Sequence, residues 1–335
     1  MADHNPLGVM PSMADDLARV EAELGDAVRS GDEYLTEISS HLIAAGGKRV
    51  RPGFCIASAA TALTVDAPAS AAAVTGGVAV ELVHLGSLYH DDVMDEATMR
   101  RTVESVNARW GNLKAILAGD FLLARASELA AGLGVEVAGL LAATIGRLCE
   151  GQVLELRHAY DRGRTEESYL RSIDGKTASL LASSCRIGGI VADLPHDHTD
   201  ALTEFGRSYG MAFQLVDDVL DLVATAATLG KPAGHDMEEG VYTLPVIHTL
   251  ASGRGDELAT LLAGSADGVG LDPDARDKAI EIVRDGDGID VTIAAARAYA
   301  DIGRAALGRL PDSPGVTGLS AAADYLLDNV EAAAA

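Results

Sequence analysis

The sequence predicts an all-α protein folded as one domain, and three observations carry that reading. Ala, Leu and Val supply most of an apolar fraction of 48%, while aromatic residues make up only 4%, a balance that favours helix over sheet. Apolar residues recur at steps of three and four nearly everywhere, with no convincing alternation of apolar and polar positions. The breaks, marked by Gly and Pro, are short, so all 335 residues belong to one domain behind a flexible N-terminus of about 12 residues.

The elements follow in order. The opening segment lacks the basic-then-apolar order of a secretory signal. A helix is expected over 13–44, ending at Gly46-Gly47 and Pro52, and another over 54–64. The next, 68–95, is the most apolar part of the chain, but Glu81 and His84 interrupt it, which marks a core helix and no membrane span. Helices over 112–132 and 134–160 lead to Gly163, and one over 166–193 to Pro195. The remainder divides into helices at 198–226, 242–263, 274–285, 288–309 and 317–332, with breaks at Gly230 to Gly234 and Gly264 to Pro273. Cys55, Cys149 and Cys185 are odd in number and sit in apolar runs, so they read as buried thiols of a cytoplasmic protein.

Charge narrows the function. Lys and Arg number 26 against 50 Asp and Glu, a formal charge of −24, which excludes general affinity for nucleic acid or an anionic membrane surface. Anionic small molecules remain open to it through local cationic clusters.

Two acidic clusters carry the chemistry. Asp91-Asp92-Val93-Met94-Asp95 and Asp217-Asp218-Val219-Leu220-Asp221 each end an apolar helical run. Residues four apart share a helix face, so Asp91 with Asp95, and Asp217 with Asp221, direct two carboxylates to one point. Their repulsion is relieved when a hard divalent cation takes oxygen from each. A single cluster of this kind reads most simply as a solvated acidic face; two copies on apolar helices do not. Neither has the glycine and distant glutamate of an EF-hand loop. Stepping back by threes and fours puts His84 on the Asp91 stripe and Gln214 on the Asp217 stripe, whereas Tyr89 and His90 receive no role.

The few cations are grouped as well. Gly46-Gly47-Lys48-Arg49-Val50-Arg51-Pro52 sets three of them on a glycine-opened turn suited to an anion, and Arg100-Arg101 follows the first acidic cluster. Gly175-Lys176-Thr177 and Gly230-Lys231-Pro232 add two lysines. A P-loop is excluded, because Leu170 stands where its first glycine belongs and no strand precedes it. Two carboxylate pairs with separate basic clusters point to two polyanionic substrates held at once, metal ions bridging one of them, with hydrocarbon tails along the apolar helices.

At these residues the chain resembles the trans-isoprenyl diphosphate synthases, or polyprenyl synthetases. The matching segments, in order, are GlyGlyLysArgValArgPro, TyrHisAspAspValMetAsp with ArgArg, GlyLysThr, PheGlnLeuValAspAspValLeuAsp and GlyLysProAlaGlyHisAsp with ThrLeuPro, spanning about residues 40 to 250. Some are most similar to actinobacterial long-chain members that make quinone side chains. The resemblance implies the isoprenoid synthase fold, an all-α antiparallel bundle around a deep central cavity, usually as a homodimer. It also implies that Asp91, Asp95 and Asp217 hold Mg²⁺ (or Mn²⁺) on an allylic diphosphate, supported by Asp92, Asp218 and Asp221. Arg100, Lys176, Thr177, Gln214 and Lys231 would contact that diphosphate, and Lys48, Arg51, His84 and Arg101 would hold isopentenyl diphosphate. One departure is Val241, which stands where the family often has lysine. Gly86 and Ser87 are small where short-chain members carry bulky floor residues, which implies a long product. The alternatives are a short-chain synthase, a non-catalytic subunit of a synthase, and a terpene cyclase; Asp221 and Thr225 do not fit a cyclase's second metal motif.

Overall fold

A computed structural model of the chain describes residues 6–223, 233–265 and 271–334. Helices α1 (Met13–Ala27), α2 (Glu33–Ala44), α3 (Val50–Ala59) and α4 (Ala71–Met94) form the first half with α5 (Val106–Trp110), α6 (Asn112–Leu133) and α7 (Val135–Arg157). Then come α8 (Glu166–Ile173), a π-helical turn at Asp174–Ala178, α9 (Ser179–Val191) and α10 (His196–Val223). The described remainder holds α11 (His235–Glu238), α12 (Leu244–Leu250), α13 (Gly255–Leu262), α14 (Pro273–Arg284), α15 (Gly288–Leu307) and α16 (Pro314–Ala334).

The expected helix class holds, with corrections at its joints. The 13–44 stretch is two helices, because Gly31 precedes Asp32, whose carboxylate caps α2 by accepting from the Tyr34 and Leu35 amides. The 242–263 stretch also splits, at Ala251 to Arg254. A two-residue antiparallel ribbon, Met99–Arg100 with Val103–Glu104, follows α4 where no strand is expected. The N-terminal arm is fixed from residue 6 onward: Leu7 and Met10 are buried, and the Ser12 amide and hydroxyl both donate to Asp66, at 2.9 and 3.0 Å.

Helix α4 is buried on nearly all sides, packed by α1, α3, α6 and α9. Its apolar length therefore serves the core, as expected. Helix α10 lies against α9, α15 and α16. Rings of Phe54, Phe205, Tyr209 and Phe213 stack along the α3–α10 contact, with Phe54 and Tyr209 edge to face at 4.5 Å. The two acidic clusters thus end two of the best-anchored helices in the chain. Helix α7 is different: long and apolar enough to cross a membrane, it is mostly exposed here. Cys55 and Cys185 are buried and unpaired as expected, but Cys149 on α7 is exposed.

Candidate active site

The first acidic cluster closes α4, with Asp95 as its C-cap. Asp92 is fully buried and accepts from Arg100, whose Nε and Nη2 lie 2.7 and 2.5 Å from Oδ1. Its Oδ2 has no hydrogen-bond partner. Burial pushes the Asp91 carboxyl above the usual range against the pull of Lys176 and Arg100. Desolvation likewise lifts Asp95 to about 6, with Asp91 and Glu239 adding to the rise and Lys176 opposing it. Asp91 and Asp95 are thus in surroundings that disfavour their charge until a cation arrives.

The second cluster is built on α10. Gln214 Nε2 donates to Asp218 Oδ1 at 3.0 Å, one helical turn apart, and accepts at Oε1 from the Thr177 hydroxyl at 2.9 Å. The Tyr169 hydroxyl donates to the other Asp218 oxygen. Burial raises Asp218 to about 7 despite these two donors. Asp221 accepts from the Asp236 amide at 3.3 Å, and its carbonyl accepts from Gly234 at 2.9 Å, so residues 233–243 fold back beside the cluster.

Between the clusters stands Lys176. Its Nζ lies 2.5 Å from Glu155 on α7, and its charge is felt at Asp91 and Asp95. The π turn brings it there by pressing against α7: a Cβ on Gly151 would sit 2.5 Å from the Lys176 amide, and one on Gly175 would sit 2.9 Å from the Arg147 carbonyl. Glycine at both places allows the approach. Glu155 went unnoticed in the sequence, although Leu148, Gln152 and Glu155 form a stripe on α7 that would have marked it.

The cation cluster near residue 48 has a second hidden member. Glu81 on α4 is 2% exposed and takes the Arg49 Nη1 at 2.9 Å and the Arg101 Nη2 at 3.8 Å. Arg49 also pairs with Glu21 of α1, so it is a structural cation, buried at 4% exposure. Arg101 donates to the Leu42 and Gly46 carbonyls. A Cβ on Gly47 would lie 2.9 Å from Arg101 Nη1 and 3.1 Å from Arg49 Nη1, which explains the glycine. Arg51 is on the first turn of α3 rather than on the loop, Lys48 is exposed, and the Arg51 Nε has no hydrogen-bond partner. Burial, then Arg51 and Arg101, hold His84 well below its ordinary value, so it is neutral. One further step back along the His84 stripe reaches Glu81.

A cavity of about 350 Å³ is bounded by Asp91 of the first cluster and by none of the second. Arg51, His84, Asp91, Lys176 and Thr177 supply its polar lining, while Leu88, Met94, Leu148, Val153 and Leu156 supply the apolar wall. Ser87 lines it, its hydroxyl turned to the His84 carbonyl at 2.8 Å. Gly86 does not. It faces α6, where a Cβ would meet the Gly119 carbonyl at 3.1 Å and Leu123 at 3.2 Å, so its smallness serves helix packing. The wall opposite α4 comes from α7, and none of the lining residues lies on α6. Lys231 falls outside the described residues.

Oxygen donors of this kind suit a hard divalent cation. Among the described residues, however, no three carboxylate, His or Cys groups converge closely enough to hold a metal alone. Asp91, Asp95 and Asp217 therefore do not form a protein cage. A cation here would be held by one or two carboxylates and would need further oxygen donors from outside the protein.

The polyprenyl synthetase profile matches residues 32–269. This chain belongs to the polyprenyl synthetase family. It is 39% identical over 311 residues to the nonaprenyl diphosphate synthase of Mycobacterium tuberculosis, covering 92% of this chain and 91% of that protein. Its fold is shared by the decaprenyl diphosphate synthase of Rhodobacter capsulatus (TM-score 0.87, 33% identity, 96% and 98% coverage). It is also shared by a geranylgeranyl pyrophosphate synthase of Corynebacterium glutamicum complexed with calcium and isoprenyl diphosphate (TM-score 0.81, 38% identity, 95% and 96% coverage). As a polyprenyl synthetase the protein is a prenyltransferase with the isoprenoid synthase fold. Where the family often has lysine, Val241 stands beside Tyr242, whose carbonyl accepts from Arg164 at 3.2 Å.

Proposed function

We propose that the protein condenses isopentenyl diphosphate with an allylic diphosphate, head to tail and with Mg²⁺ or Mn²⁺, to give a long-chain all-trans polyprenyl diphosphate for a quinone side chain. The observation that carries this reading is a cavity that sets Arg51, Lys176 and Asp91 against an apolar wall of Leu88, Met94, Leu148, Val153 and Leu156. That is the shape of a charged head on a hydrocarbon tail.

Bound divalent cations supply charge neutralisation to the diphosphate leaving group. Asp91, Asp95 and Asp217 would hold them, with Asp92, Asp218 and Asp221 as support. Arg100, Lys176, Thr177 and Gln214 add donors to the allylic diphosphate, so that departure of the diphosphate leaves an allylic cation in a site shielded from water. Lys48, Arg51, neutral His84 and Arg101 place isopentenyl diphosphate so that its double bond attacks that cation. The proton then lost passes to the departing diphosphate, and no side-chain base is needed.

The two basic groups should separate kinetically. Lys48→Ala or Arg51→Ala raises the KM for isopentenyl diphosphate, while Lys176→Ala raises that for the allylic primer. A change in the same KM in all three variants contradicts the assignment.

The reading extends to the assembly. Leu113, Ile116 and Leu117 of α6 are exposed apolar residues, a face that a second copy of the chain would cover. A homodimer, with a solution mass twice 34.5 kDa, is expected from light scattering; a monomer at micromolar concentration contradicts it. One domain over residues 1–335 and, from the three free thiols, a cytoplasmic location complete the proposal.

Incubation with labelled isopentenyl diphosphate, an allylic primer and Mg²⁺ tests the function through product length. A ladder beyond geranylgeranyl is expected. Products ending at farnesyl or geranylgeranyl favour the short-chain alternative, and no condensation overturns the proposal.

A further inference from the structure

Behind the second aspartate cluster lies a cation that the reaction scheme does not use. Arg164 is 4% exposed. Its Nη1 donates to the Tyr242 carbonyl at 3.2 Å, and its guanidinium lies 5.4 Å from the Tyr169 ring centroid. Among the described residues, Nε and Nη2 have no hydrogen-bond partner. Leaving two N–H groups of a buried cation unmatched is costly in general, and the charge acts on the groups packed around it. The acidic groups facing it are Glu155, Asp218 and Asp161, together with the Tyr169 phenol. Two of these are the groups that hold the site: Glu155 carries Lys176, and Asp218 takes the Tyr169 hydroxyl.

Tyr169 is the link. It is 2% exposed, its ring lies beside the Arg164 guanidinium, and its hydroxyl is committed to an oxygen of Asp218. The other Asp218 oxygen is taken by Gln214, which is itself oriented by Thr177. Asp218 therefore has both oxygens engaged, and Asp217 precedes it on the same helix. We propose that Arg164 and Tyr169 are positioning residues, which by hydrogen bond and charge hold Asp218, and through it the second aspartate cluster, in the geometry that takes the metal-bound diphosphate. The proposal rests on the metal-and-diphosphate reading of the site.

The two side chains act in series, so their removal should not add. The test measures condensation rate against Mg²⁺ concentration, the KM for isopentenyl diphosphate and the thermal midpoint. The proteins compared are wild type, Tyr169→Phe, Arg164→Lys, Arg164→Met and the double variant Tyr169→Phe/Arg164→Met. Expected is a half-saturating Mg²⁺ concentration raised about fivefold or more in Tyr169→Phe and in Arg164→Met. The double variant should be no more than twofold worse than the poorer single. Arg164→Lys, which keeps the charge, should recover most of the loss, and the KM for isopentenyl diphosphate should stay within about twofold throughout. A thermal midpoint that falls in Tyr169→Phe while its Mg²⁺ dependence is unchanged overturns the proposal, as does a fully additive double variant. If Arg164→Met does not fold, Tyr169→Phe and Arg164→Lys decide by the same criteria. Failure of wild type to condense at any Mg²⁺ concentration counts instead against the functional reading beneath it.

Discussion

Asp91→Ala and Asp217→Ala are each expected to lower turnover by roughly a hundredfold or more, the scale of losing one element of transition-state charge stabilisation. Neither carboxylate is backed by a ready-made cage, since no three carboxylate, His or Cys groups converge among the described residues. Stability should move the other way or stay level for Asp91. Burial raises its carboxyl above the ordinary range, so at neutral pH the ionised form is disfavoured in the folded protein, and removing it relieves that cost. Turnover and thermal midpoint measured on the same preparations check both halves. Retained turnover in either variant, or full wild-type activity in a chelator, sinks the two-cluster site.

Replacing Ser87 by Phe should convert a long-chain product into a short one while condensation itself persists. Ser87 lies one turn below Asp91, about 6 Å along the helix axis, and lines the cavity. A ring there projects between α4 and the α7 wall of Leu148 and Val153, across the path of a growing tail. Gly86→Phe should behave differently, since that position faces Gly119 and Leu123 of α6. It should cost stability through overpacking more than it shortens the product. Mass analysis of products made under excess isopentenyl diphosphate gives the answer. Unchanged length in Ser87→Phe refutes the tail path.

The acidic clusters were legible because four-residue spacing is a local property of a helix, and local geometry survives into the fold. Helix identity was legible for the same reason. What escaped was set by partners distant in sequence. Arg49 looks like its neighbours Lys48 and Arg51, yet Glu21 and Glu81, 28 and 32 residues away, turn it into a buried strut. Glu81 itself resembled an interruption of an apolar run, and only the arginines around it give it a role. Gly86 and Ser87 are adjacent and equally small, but consecutive helix positions are about 100° apart, and which one meets the cavity depends on where α6 and α7 pack. Tyr169 is a single polar residue on a helix, without a partner in sequence to announce it. The break of the first helix at Gly31-Asp32 was readable from its capping chemistry, and the helical spacing on either side concealed it.

The central claim is that one diphosphate is held through metal by the aspartates and the other directly by arginines and lysine. Calorimetric titration of a non-ionising allylic thiodiphosphate and, separately, of isopentenyl diphosphate, each with Mg²⁺ and with chelator, tests it most directly. Chelator should weaken the allylic analogue by about a hundredfold or more and leave isopentenyl diphosphate within about threefold. Equal loss of both ligands, or loss of neither, would contradict it.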